Sequence, residues 1–262
     1  MGRKYMRQID SLPDKFYLPK KESHMPGARI LKKRFQELLN AQEWQSHIPE
    51  IAKSGQAAIS PLFSLLPGNP EQRHRAAIAL GATVNQLART DFEKACIVIR
   101  RFMWHMSEES GNIGWGIPEA FSECLAQNKA LAEKYRNILI SYIIDLGHDD
   151  NYCDNDILRR SCYWAIGNFA KHYRQLAEKA RPWLLKGLQD EDEICRGLAA
   201  WALGKLEPDI SSAPALRTLA DSGDTHLAPV FETDKIEEKT VSALAQEALA
   251  NSVTRSSSKE SH

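Results

Sequence analysis

The chain has 262 residues, enough for one or two ordinary domains or one elongated repeat array. Hydrophobic residues make up 43% and charged residues 26%, a normal folded balance with ample material for a core. Lysines and arginines number 34 and so do aspartates and glutamates, which removes the simplest electrostatic case for nucleic-acid binding. The charge is uneven all the same. Residues 1–40 hold ten basic and four acidic residues, and residues 186–250 hold six and thirteen. Solvated faces at the two ends account for this more simply than two charged docking sites.

The N-terminus "MGRKYMRQIDSLPDKF" has no apolar run of signal-peptide length. The most apolar stretch, "ILISYIIDL" (138–146), is too short to span a bilayer, so no membrane partner is expected. Five cysteines without a C-x-x-C pair suggest reduced thiols in a cytoplasm.

In chain order, residues 1–26 carry three prolines and scattered charge and are expected to be an extended or disordered arm. Residues 28–49 predict one or two capping helices. From there the chain repeats itself. "RHRAAIALG" (73–81), "RRSCYWAIG" (159–167) and "RGLAAWALG" (196–204) each begin with Arg, carry small residues in the middle, and end on an apolar residue and Gly. Acidic or turn-forming segments precede them, as stacked helical hairpins require. A helix turns about 100° per residue, so positions −1, +3, +4 and +7 from the Arg share one face. These are Ala76, Ala77 and Leu80 in the first copy, with polar Gln72 at −1. They are Leu158, Cys162, Tyr163 and Ile166 in the next, and Cys195, Ala199, Ala200 and Leu203 in the last. That face is the predicted core.

"GWGIPEAF" (114–121) fits between them with Gly114 at zero. Ile113, Ile117, Pro118 and Phe121 then face the core, continued by Cys124 and Leu125, and Glu119 faces outward. Gly114–Gly116 enter the helix, and Pro118 lies in its first turn, where a missing N–H costs little. A weaker fifth copy is "VSALAQEALA" (241–250). Partner helices are predicted within 53–67, 91–106, 129–146, 172–188 and 211–221. An insertion at 222–239 includes "PVFETDKIEEKTV", which suggests a β-hairpin near 229–241. Residues 27–251 are thus expected to form the folded body, and 252–262 a disordered tail.

"DEDEICRGLAAWALGKL" resembles the second-helix consensus of HEAT repeats: acidic turn, apolar residue, Arg, paired alanines, Leu-Gly. More narrowly it is similar to the HEAT-like repeats of phycobilisome lyases, and the "WGIPEA" copy resembles a bacterial HEAT-repeat group, which adds no activity. The resemblance covers about 50–250. It implies an all-α solenoid of about five helical pairs whose second helices line a concave binding face.

Positions +1, +5 and +9 point away from the core, onto that face. They carry Trp115, Glu119 and Glu123; Arg160, Trp164 and Asn168; and Trp201 and Lys205. Three of six tryptophans therefore fall where the helical wheel predicts exposure, and aromatics gathered on one surface mark contact sites. A protein or peptide partner is expected there, the tryptophans giving contact area and Arg160 and Glu119 giving charge orientation. The opposing expectation is that the tryptophans pack on neighbouring repeats or beneath another segment.

Enzymes built on HEAT-type repeats supply specific tests. Deoxyhypusine hydroxylase needs repeated His-Glu pairs for two irons, and this chain has no His-Glu dipeptide. His105 and Glu108 form a single i,i+3 pair that nothing repeats. HEAT-like DNA glycosylases combine aromatics, basic residues and a carboxylate, which Trp115, Glu119, Arg160, Trp164, Trp201 and Lys205 fit superficially. Nucleic-acid binding or base processing is therefore the alternative, weakened by the acidic C-terminal repeats. Bilin chemistry would need a reactive cysteine, whereas Cys124, Cys162 and Cys195 fall on the core face. The loop "GHDDNYCDND" (147–156) holds zinc and calcium ligand types without a matching spacing, and helix capping is its simpler role. The expectation is a non-catalytic scaffold with no metal or cofactor.

Overall fold

A computed structural model describes residues 27–107, 113–148, 150–232 and 235–253. The expected arm at 1–26, most of the expected tail (254–262), Glu108 and Asp149 lie outside the described residues. Helices α1 (Ala28–Asn40) and α2 (Trp44–Lys53) begin the stack. Helix pairs follow: α3 (Gln56–Phe63) with α4 (Pro70–Thr90), α5 (Phe92–His105) with α6 (Ile117–Gln127), and α7 (Lys129–Ser141) with α8 (Asp156–His172). In the fourth pair, α9 (Arg174–Ala177) and α10 (Arg181–Gly187), joined by a 3-10 turn, together partner α11 (Glu193–Leu203). The fifth pairs α12 (Ala213–Ala220) with α13 (Val241–Val253). Between these two lies the hairpin of β1 (Leu227–Glu232) and β2 (Lys235–Thr240). Its antiparallel register sets Val230 against Glu237 and Phe231 against Ile236.

The architecture is an all-α solenoid in which α4, α6, α8, α11 and α13 pack in sequence as one layer. The repeat positions read as core are core: Ala76, Ala77, Leu80, Cys162, Ile166, Cys195, Ala199 and Ala200 have no accessible surface. All five cysteines are free and buried. One expectation fails. Ile113 precedes α6 and is 53% exposed, because the helix begins only at Ile117. Gly116 caps it with φ of +75°, a conformation that costs glycine little. A Cβ there would also sit about 3 Å from Leu66 and Arg73, so the turn needs glycine twice over.

Two sequence marks of the repeat have physical causes. In three of the repeats the arginine at position zero ties its helix to the loop before it. Arg73 donates to the carbonyls of Leu66 and Gly68, Arg159 to those of Cys153 and Asp154, and Arg196 to those of Asp190 and Glu191. Arg159 also grips Asp190 of the next repeat with two 2.8 Å bonds, and Arg196 reaches Asp224 at 3.2 Å. The small residue at +8 is where the next helix comes closest. A Cβ on Gly81 would lie 3.0 Å from the Glu123 backbone, one on Gly167 2.2 Å from the Trp201 ring, and one on Gly204 3.1 Å from Ala248.

Helix starts are fixed by side-chain caps. Asn69, Asp91, Asn128, Asn155 and Asp192 accept bonds from the backbone N–H three residues on. In the 147–156 loop, Asn155 is the cap, and Asp150 accepts from the N–H groups of Leu146 and Tyr152. Among the described residues no three His, Cys, Asp or Glu side chains gather as a metal cluster, and no helix is long and apolar enough to cross a membrane.

Candidate functional site

On the face that carries the predicted residues, side chains of helices that are not neighbours in the layer meet. His74 of α4 and Trp164 of α8 meet edge to face across α6, with ring centroids 5.9 Å apart. The hairpin lies on this face. Phe231 stacks on His74 at 4.7 Å and meets Trp164 edge-on at 5.8 Å. Trp164 stacks in turn on Trp201, 6.2 Å away and 8° from parallel, and donates from its indole to the Phe231 carbonyl. The expected exposure of Trp164 and Trp201 is therefore wrong: they are 2% and 3% accessible. A helical wheel places a residue relative to one helix. These two are covered by the next repeat and by a strand from outside the repeats.

Glu119 also departs from expectation. It is 3% accessible, on α6 between α4 and α8, which both pack against that helix. Its Oε1 accepts a 2.8 Å bond from Ser161, while Oε2 accepts none among the described residues. Burial pushes its carboxyl above the usual range, against the pull of the Arg73 charge. Glu123 is half-buried and also pushed up by burial, against hydrogen bonds from Gln127 (3.2 Å) and Asn168 (2.9 Å). Asn168, expected on the open face, is buried and also donates to Ser122.

Arg160 does not stand free. It grips Asp192 in a two-bond fork, Nε donating to Oδ1 at 2.9 Å and Nη2 to Oδ2 at 2.5 Å. Burial raises the Asp192 carboxyl, but Arg160 and the Cys195 N–H outweigh it and hold it at about 2. Trp115 is half-buried, with the Arg73 guanidinium 5.9 Å from its ring centre, and lines a separate depression with Phe63, Pro67, His105 and Ile113.

The densest polar constellation centres on Glu232, which sequence reasoning missed. Lys205 donates to its Oε1 at 2.6 Å, the Trp201 indole N–H donates to the same oxygen at 3.1 Å, and Lys171 lies 3.6 Å away. Both ammonium groups stand 5.0 Å from the Trp201 ring centre. Burial would raise the Glu232 carboxyl, yet Lys205, Lys171 and Trp201 bring it down to about 2. Lys171 was legible in principle, since it continues the Trp164–Asn168 face by one more turn.

Residues 156–206 match the family model of the HEAT-like repeat. The matched repeat contains Arg159, Arg160, Trp164, Asn168, Trp201 and Lys205. Among solved structures, a crystal structure of an engineered protein from the Northeast Structural Genomics Consortium is similar, with a TM-score of 0.44 and 17% identity, covering 85% of this chain and 96% of that one. No curated protein matches the chain.

Proposed function

We propose that the chain is a non-catalytic scaffold that engages a protein or peptide on the face bearing Trp115, Glu119, Glu123, Arg160, Trp164, Asn168, Trp201 and Lys205. HEAT-like repeats generally serve as protein-interaction scaffolds. The observation that carries the reading is that this face already holds an extended polypeptide, strand β1, through one aromatic ring and one carboxylate. Lys171 and Lys205 border that strand and are partly accessible, and Trp115 and Glu123 also keep partial accessibility. Against the nucleic-acid alternative, Arg160, Lys171 and Lys205 each face a carboxylate within the chain, so little cationic surface is left for phosphate.

The test is photo-crosslinking in the native host with benzoylphenylalanine at position 115, against the same group at the exposed Ile97 of α5. A protein captured at 115 and not at 97 is the expected result. The same protein at both positions, or captured nucleic acid, would sink the reading.

A further inference from the structure

The hairpin divides into two functionally different parts. Ala228 and Val230 have no accessible surface and fasten β1 to the stack. The backbone N–H of Val241 closes the hairpin base onto the His226 carbonyl. Phe231 and Glu232, at the far end of β1, are only half-buried. The groups that receive them come from three different helices and the turn after the last: His74 on α4, Trp164 and Lys171 on α8, Trp201 on α11, and Lys205 just past the end of α11. Two cations and an indole N–H converging on one carboxylate make an anion receptor, and a ring slot lies beside it. The receptor residues sit in the repeats, whereas the carboxylate comes from an insertion between α12 and α13.

We infer that this pair of pockets is a peptide-recognition site for a partner segment with an aromatic residue followed directly by an acidic one, and that Phe231-Glu232 occupies it as an internal mimic. The inference rests on the scaffold reading above and gives its partner a chemistry. A partner presenting the same pair displaces two side chains at the end of the hairpin and leaves the Ala228–Val230 anchor in place. Lys171 and Lys205 exclude a basic residue at the second position, because it would bring a third cation against them.

The test uses the full chain carrying Phe231→Ala/Glu232→Ala, with helix content checked by circular dichroism. The probes are a fluorescent peptide with the chain's own 227–232 sequence, LAPVFE, and a control, LAPVAK. The variant should bind LAPVFE about tenfold or more tighter than it binds LAPVAK, and about tenfold or more tighter than the wild type binds LAPVFE. A folded variant that binds both peptides equally, or neither, overturns the inference. If the variant does not fold, amide exchange in wild-type residues 230–232 and 236–239 decides. Faster exchange with excess LAPVFE than with LAPVAK supports displacement, and unchanged exchange refutes it. A protein crosslinked at position 115 together with failure of the peptide test leaves the scaffold standing and removes this site.

Discussion

The two halves of this face are built on similar helices and end in different states. Around α4 and α6, Trp115 and Glu123 stay partly accessible, and the polar groups answer to their own neighbours: Ser161 to Glu119, Asn168 and Gln127 to Glu123. Around α8 and α11, two tryptophans stack, are sealed, and take a carboxylate from an inserted hairpin. The repeat therefore fixes where side chains stand, and the insertion decides which of them solvent reaches.

The strongest way to break this contrast is at the buried Arg159–Asp190 pair of the covered half, whose side chains are 7% and 3% accessible. Asp190→Ala leaves a buried guanidinium without its carboxylate and should cost about 3–5 kcal/mol in urea unfolding. A loss below about 1 kcal/mol would mean that the site relaxes and admits water.

Glycine substitutions sharpen the contrast. Gly167→Ala drives a methyl into the Trp201 ring and toward the Ala202 backbone, so about 1–3 kcal/mol of overpacking is expected. At Gly81 the nearest atom, 2.5 Å away, is the mobile Nε2 of Gln127, although the Glu123 backbone is 3.0 Å away. Gly81→Ala should be the milder of the two in thermal melts. Equal losses would show that both junctions are equally tight.

Glu119→Gln probes the first half by pH. Burial favours the neutral carboxyl, so its contribution to stability is full below the unfolded-state value near 4.5 and is lost as pH rises through the raised folded-state value. The Gln variant keeps an acceptor for Ser161 and cannot ionise. Its Tm should exceed that of the wild type at pH 7, and the gap should close near pH 4. A gap that does not change with pH would refute the burial argument.

The smallest effect on stability is expected at Trp115. Trp115→Ala removes a half-buried ring and its contact with Arg73, a loss of about 1 kcal/mol. Capture of a partner at this face should suffer more than the melting temperature does.

The fold was legible because each repeat carries its own local evidence. Arg at zero, small residues at the core positions and glycine at +8 act within one helix or between adjacent repeats, where periodicity reads them. The hairpin was legible within two residues from "PVFETDKIEEKTV". The state of the site was not. The contact between His74 and Trp164 skips a whole repeat, and Phe231 reaches both from far along the chain. One signal was present: Ala228 and Val230 alternate inward on β1, while four of the six residues of β2 are charged, so one strand had to be covered by something.

The order of these parts along the chain has a consequence in time. Phe231 lies 67 residues after Trp164, and Glu232 lies 31 after Trp201. On a ribosome adding roughly 5–20 residues per second, the tryptophans and lysines emerge seconds before the strand that covers them. A newborn chain thus presents its aromatic and cationic pockets vacant, and its own hairpin is the last competitor to arrive.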